Sequence, residues 1–321
     1  MKNYRNKRII VYGLGKEFEH QRKILENEFQ IVGYSDKNVY QVNNYIVPEN
    51  IKTHDFDYIY ITSNKYKEEI KQYLTNLLGD SSKLISREEV FGEFRHHYES
   101  WVIEKLKQIP QGQILLDAGA GEMKYAKYCK HLKYIAQDFG EYDPNQCVYG
   151  LKLEDKWDTS RVNIKCDIIE IPLENGSVDA ILCTEVFEHL KNPVLAIKEF
   201  SRLLRVGGVL ILTAPFCSLT HMAPFYYSNG FSRFWYQDNL KDYGFEIKEI
   251  NKDGNFFKWL CQEMFRTPEM AEKYCKDGYG LSRDEFRTLS ESIKIMSRLG
   301  DNEEGSSEAL CFRYMLVAQK K

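Results

Sequence analysis

The chain has 321 residues, so two domains of roughly 100–200 residues are expected. Hydrophobic residues make up 43% and charged residues 28%, a balance that suits a globular chain with real cores. Lys and Arg number 44 against 47 Asp and Glu, a net charge of −3, which argues against a general nucleic-acid binder.

No apolar run approaches the ~18 residues of a membrane span. The basic opening Met1 to Arg8 is followed by an apolar stretch, Ile9 to Leu14, that is too short for a signal segment and runs into Lys16 and Glu17. It reads as a strand. The eight cysteines form no Cys-x-x-Cys pair, and several sit inside apolar runs. Reduced structural thiols in a cytoplasmic protein are the expectation.

The elements alternate. Strands are expected at Arg8–Tyr12, Ile31–Asp36, Tyr58–Thr62 and Lys83–Ser86, with helices at Phe18–Phe29 and Glu68–Leu78. This pattern implies a parallel sheet that ends near Phe91, with a boundary in Gly92 to His97. A helix over Tyr98–Gln108 opens the second segment. Strands follow at Gln113–Asp117, Tyr134–Asp138, Ile164–Asp167, Val178–Cys183, Val209–Thr213, Phe245–Ile250 and Ala309–Ala318. Helices are expected from Gly121 to about His131 and over Val194–Leu204, with a helical insert at about 256–299. The expected domains are 1–92, a small Rossmann-like α/β unit, and 93–321, which includes the insert.

The second unit carries the stronger constellation. Asp117 ends a buried strand just before Gly119 and Gly121. Glycines there let the backbone approach a ligand and free a helix start to bind it. The Asp117 carboxylate can take an ammonium group. Asp138, at the next strand end, is placed to accept ribose hydroxyls. Asp167, at the third, can accept from an adenine amino group. Three such acids suit a nucleoside with a cationic group and would repel a pyrophosphate. Asp179 reads as fixing the turn into the next strand.

These residues carry a resemblance. Leu116-Asp117-Ala118-Gly119-Ala120-Gly121 resembles the first motif of class I S-adenosylmethionine-dependent methyltransferases. Asp167, the stretch Ile171 to Asp179, and Glu185-Val186-Phe187-Glu188-His189-Leu190 resemble the later signatures. The group named after the methyltransferase-11 domain is the most similar, over about residues 95 to 321. The resemblance implies an α/β fold with a seven-stranded sheet whose last strand is antiparallel. It also implies S-adenosyl-L-methionine as cofactor, held at Asp117, Gly119, Gly121, Asp138, Asp167, Ile168 and Glu185. Lys124 departs from the small residue that many relatives keep there. Glu188-His189 reads either as a catalytic pair or as a helix start that orients its loop.

The segment Ala214 to Tyr236 follows the fifth strand of this unit and is too aromatic for a solvated loop. It lies where such folds place substrate. Tyr226, Tyr227 and Trp235 can stack on sugar faces, Arg233 can meet an anion, and His221 can serve as general base, with His189 second. The rival reading is an aromatic plug. Similar loops occur in methyltransferases encoded with surface-glycan genes, which favours a sugar or nucleotide-sugar acceptor, as in capsule polysaccharide synthesis. No His/carboxylate set stands out as a metal site in the sequence, so none is expected.

In the first unit, Gly13-Leu14-Gly15 has two glycines of a dinucleotide fingerprint, with Phe18 in place of the third and Asp36 near the ribose-binding offset. The unit resembles Rossmann-like modules fused to bacterial sugar-modifying enzymes. Nucleotide-sugar binding, homodimer contacts and a purely structural role all stay open. Two other functions compete with methyl transfer: NAD-dependent oxidoreduction on the first glycine loop, and cofactor binding without turnover. The first lacks a convincing Tyr-x-x-x-Lys set.

Overall fold

The computed structural model describes residues 4–92, 98–146, 150–151, 157–276 and 280–321. The expected boundary, apart from Gly92, lies outside the described residues, as does Cys147. The chain divides into two compact units: residues 1–95 with 256–304, and residues 96–255 with 305–321.

The first unit begins with β1 (Arg8–Tyr12), α1 (Lys16–Glu28), β2 (Gln30–Ser35), β3 (Tyr58–Ile61), α2 (Lys67–Leu78), β4 (Leu84–Ser86) and α3 (Arg87–Phe91). Its strands form a parallel sheet in the order β2-β1-β3-β4. Ile9, Ile10 and Val11 are wholly buried, as a parallel strand covered on both faces requires. Gly79 ends α2 in a left-handed conformation, and Ser86 with Glu89 forms a capping box that starts α3.

The second unit comprises α4 (Tyr98–Gln108), β5 (Ile114–Ala118), β6 (Lys133–Asp138), β7 (Ile164–Lys165), β8 (Val178–Thr184), α5 (Pro193–Leu203), β9 (Leu204–Pro215), α6 (Arg233–Asp242), β10 (Phe245–Asp253) and β11 (Arg313–Lys320). The seven strands lie in the order β10-β11-β9-β8-β5-β6-β7. The last strand, β11, runs antiparallel to both β9 and β10, while the other pairings are parallel. The strand order reverses at β5, whose neighbours are β6 and β8. The carboxyl ends of these strands are the place where open sheets of this kind bind ligands. Asp179 accepts from Ile114 N at 2.6 Å and pairs with Arg205 at 2.6 Å, tying the starts of β8 and β5 together.

The helix expected from Gly121 to about His131 is absent. Met123 adopts φ 60, which breaks a right-handed helix, and only a short 3-10 turn at Ala126–Tyr128 remains.

Two long helices, α7 (Phe256–Tyr274) and α8 (Arg283–Asp301), correct the expected division at 92/93. The sequence reading assigns this stretch to the second domain, but it belongs to the first compact unit. Cys261 of α7 and Ile293 of α8 are wholly buried in the same cluster as Ile9, Val11, Phe18 and Leu25. Phe265 meets Phe91 edge-on at 5.4 Å, and Lys294 pairs with the buried Glu28 at 2.5 Å. The physical reason is burial: the apolar stripes of both helices cover the α1 side of the small sheet. Ser282 and Glu285 start α8 with a capping box.

Candidate active site

The glycine loop after β5 is shaped by its own backbone. Gly119 sits at φ 77, and a Cβ there would meet Val186 Cγ2 at 2.4 Å. Gly121 sits at φ 52, beneath the ring of Trp157, which a Cβ would approach to 3.3 Å. Gly119 N and Ala120 N both donate to Gln137 O at 2.9 Å, joining the loop to the end of β6. Asp138 clamps it further: one carboxylate oxygen accepts from Gly121 N at 2.8 Å, the other from Gly140 N at 2.7 Å. Each oxygen keeps a lone pair for a ligand hydroxyl.

Asp117 is almost fully buried, and the Tyr134 hydroxyl donates to it. Burial pushes its carboxyl up to about 7; the Tyr134 hydrogen bond opposes this, and the nearby Asp138 charge adds to it. An ammonium group is the partner that would restore its charge. Asp117, Gly119, Gly121 and Asp138 lie together at the adjoining carboxyl ends of β5 and β6. These residues fit S-adenosylmethionine: a carboxylate for the amino group, a close-approach loop, and acceptors for the ribose.

The other residues singled out from sequence are placed differently. Asp167 is exposed and accepts from Ile169 N of its own turn at 3.2 Å. Ile168 is buried in the core cluster. Glu185 takes φ 55, which is uncommon for a residue with a side chain, and its carboxylate is held by Thr213 Oγ1 at 2.8 Å and Arg313 at 2.8 Å. Arg313 also pairs with Asp253 at 3.2 Å and stacks on Tyr98 at 3.9 Å.

The aromatic segment divides by burial. Trp235 packs edge-on against Phe187 and lies 4.6 Å from Phe231, so its ring serves the core as the plug reading expects. Arg233 opens α6 and pairs with Glu308 at 3.6 Å. Tyr227 is 44% exposed and stays accessible to an acceptor. Tyr226 stands beside His221, with ring centroids 5.2 Å apart, and its hydroxyl donates to Ser218 O at 2.8 Å.

His189 and His221 meet edge to face at 4.8 Å. Their Nδ1 atoms lie on the backbone carbonyls of Phe225, at 2.5 Å, and Leu219, at 2.8 Å. Burial pushes His189 down to about 4; the Phe225 carbonyl opposes this and His221 adds to it. Between them lies Glu188, wholly enclosed, with one carboxylate oxygen 3.7 Å from His189 Nε2 and 3.9 Å from His221 Nε2. Burial first, and then the neighbouring Glu185, holds the Glu188 carboxyl well above its ordinary range.

Sequence reading missed two features. Trp157, with Tyr142 at 5.5 Å, adds an aromatic wall beside the glycine loop. The Glu188–His189–His221 set was invisible because His221 lies in another loop.

Residues 116–212 match the family described as a methyltransferase domain, and residues 5–85 match the family described as C2185-like, N-terminal. The mouse tRNA (carboxymethyluridine(34)-5-O)-methyltransferase ALKBH8 is 30% identical over 134 residues, 39% of this chain and 19% of that protein. An uncharacterized chloroplastic methyltransferase of Arabidopsis thaliana is 31% identical over 109 residues, 32% of this chain and 31% of that protein. The chain thus spans about a fifth to a third of the length of these relatives. Among solved structures, a SAM dependent methyltransferase from Archaeoglobus fulgidus is 16% identical with a TM-score of 0.40, covering 73% of this chain and 97% of that one. Residues 116–212 of the second unit thus match a methyltransferase domain, and they lie in a seven-stranded sheet whose last strand is antiparallel.

Proposed function

We propose that this protein transfers a methyl group from S-adenosylmethionine to a hydroxyl of a sugar or nucleotide-sugar. The observation that carries the cofactor assignment is the convergence of buried Asp117, the Gly119–Gly121 loop and Asp138 at the ends of β5 and β6. Asp117 would hold the amino group, Asp138 the ribose, and the Trp157 ring the side of the adenosine. When bound, the cofactor supplies an activated methyl group on a sulfonium.

The chain's own residues position the acceptor and take its proton. Displacement requires the acceptor oxygen within roughly 3–3.5 Å of the methyl carbon, in line with the breaking bond. His221 Nδ1 is directed at the Leu219 carbonyl, an acceptor only, so Nδ1 carries the hydrogen and Nε2 holds a lone pair that can take a hydroxyl proton. Exposed Tyr227 offers a stacking face for a sugar. The net charge of −3 supports a small acceptor over a large polyanion.

The first unit reads as a structural or assembly module. Asp36, the candidate ribose acceptor, accepts from Leu14 N at 2.7 Å and from Asn38 N at 2.9 Å, the same pair of loop bonds that Asp138 makes, so it is the charge beside the loop that sets the two units apart. Glu17 and Glu19 stand in the first turn of α1, where they disfavour a phosphate.

The test is incubation of the full chain with methyl-labelled S-adenosylmethionine and a panel of nucleotide-sugars, glycans and tRNA, with products identified by mass. Label on a sugar hydroxyl supports the reading. Label on tRNA alone would replace the acceptor, and no labelled product with any acceptor would favour binding without turnover.

A further inference from the structure

Three lone-pair donors converge at the Glu188 carboxylate. The Nδ1 of each imidazole lies on a backbone carbonyl, at 2.5 Å for His189 and 2.8 Å for His221. A carbonyl only accepts, so both Nδ1 atoms carry hydrogen, and Nε2 is the nitrogen each ring can offer to a metal. Those Nε2 atoms lie 3.7 and 3.9 Å from Glu188 Oε1, too far for a hydrogen bond. Among the described residues, the buried Glu188 Oε2 has no hydrogen-bond partner. Two imidazole nitrogens and a carboxylate oxygen thus face one another with no hydrogen bond between them, an arrangement that a cation can bridge.

We propose that Glu188, His189 and His221 form a divalent-metal site. Their ligand atoms all lie within 4.8 Å of one another. Tetrahedral bonds of about 2.0–2.1 Å place ligand atoms roughly 3.4 Å apart, so Glu188 must close on each imidazole by a few tenths of an ångström, and the widest pair, within 4.8 Å, by about 1 Å or more. The Nδ1–carbonyl bonds are the outer contacts that orient ligating histidines. Glu188 also fastens the two loops through its backbone: its carbonyl accepts from Tyr227 N at 2.8 Å and Ser228 N at 3.3 Å. Glu185 at φ 55 and Met222 at φ 52 hold the chain in left-handed turns on either side, the kind of outlier that surrounding structure must hold in place.

Two imidazoles and one carboxylate select a borderline ion such as Zn²⁺, Co²⁺, Mn²⁺ or Fe²⁺ over Mg²⁺ or Ca²⁺, which prefer oxygen ligands. Three protein ligands leave at least one position for an oxygen of the acceptor. That use of the ion rests on the methyl-transfer reading; its binding does not. The Nε2 lone pairs it takes are those that would otherwise accept a proton, so in the loaded site His221 holds the ion.

The test is calorimetric titration of chelator-treated, tag-free full-length protein with Zn²⁺, Mn²⁺, Co²⁺ and Mg²⁺, with visible absorption recorded for Co²⁺. One Zn²⁺ or Co²⁺ per chain is expected, with d–d bands of a nitrogen- and oxygen-ligated ion. Mg²⁺ should bind at least tenfold more weakly. H221A and E188Q should each weaken Co²⁺ by more than the roughly 10–100-fold that loss of an outer contact costs. Melting curves and affinity for S-adenosylhomocysteine report whether each variant folds; H221N is the substitute if H221A does not. Absence of Zn²⁺ and Co²⁺ binding in the unmodified protein, or binding unchanged in both variants, overturns the site. If S-adenosylhomocysteine still binds in that case, the methyl-transfer reading survives. Metal binding without S-adenosylhomocysteine binding would sink that reading and leave the metal site standing.

Discussion

The Tyr134 hydroxyl donates to the buried carboxylate of Asp117 and opposes a burial that raises this acid to about 7. The sign follows from linkage. A carboxyl raised from 3.8 to about 7 gives stability that is complete below pH ~4 and is lost as pH rises through 7, on the order of 4 kcal/mol at most. An ammonium ligand reverses this by holding Asp117 ionised. Cofactor binding should therefore release close to one proton at pH 6 and fewer as pH passes 7. Calorimetry in two buffers of different ionisation enthalpy measures that number. Asp117→Asn should abolish the release, and an unchanged release in that variant would remove Asp117 from the cofactor site.

The two strand-end acids, Asp36 and Asp138, make alike loop contacts, yet only Asp138 should matter to the cofactor. Asp138→Ala removes a charged acceptor worth roughly 1.5–3 kcal/mol and unfastens Gly121, so affinity for S-adenosylhomocysteine should fall at least about tenfold. Asp36→Ala should leave that affinity within a few-fold. Equal loss in both folded variants would contradict the assignment.

Gly119→Ala introduces two penalties that can be separated. The left-handed backbone costs a side chain about 1–2 kcal/mol, and the clash with Val186 adds about 1–3 kcal/mol. Val186→Ala in the same chain should recover the second part alone. Denaturant melts of the single and double variants test this, and complete recovery would show that φ 77 carries no strain.

His221 and Trp235 lie in one aromatic segment but should fail in different ways. In metal-free protein His221→Ala should reduce turnover about 10²–10⁴-fold with cofactor affinity nearly unchanged, the range for removal of a group that handles the reacting proton. Trp235→Ala should instead lower the melting temperature, because Phe187 and Phe231 lose their partner. Full burial would make that loss roughly 3–5 kcal/mol, and the partial exposure of Trp235 makes it smaller. A folded, thermally unaltered Trp235→Ala protein with weakened acceptor binding would move this ring from the core to the substrate.

The segment 1–92 should not fold cooperatively alone, because α7 and α8 cover part of its core. Joining residues 4–92 to 256–304 through a flexible linker should restore a single sharp transition by circular dichroism. Equal cooperativity with and without the helices would refute their structural role.

What the sequence determined by itself was what periodicity and local chemistry encode. Buried runs such as Ile9–Val11 and Leu115–Leu116 announce parallel strands, since both faces of such strands are covered. Asp117, Gly119, Gly121 and Asp138 were legible because each sits at a strand end, where position along the chain nearly fixes position in space. The tertiary structure alone decided three things. It gave α7 and α8 to the first unit, because an amphipathic stripe does not reveal which core it will cover. It removed the helix after Gly121, because a left-handed turn at Met123 leaves no mark in a hydrophobic pattern. And it brought His221 to Glu188 and His189, since residues from separate loops become neighbours only when the carboxyl ends of β8 and β9 lie side by side in the folded sheet.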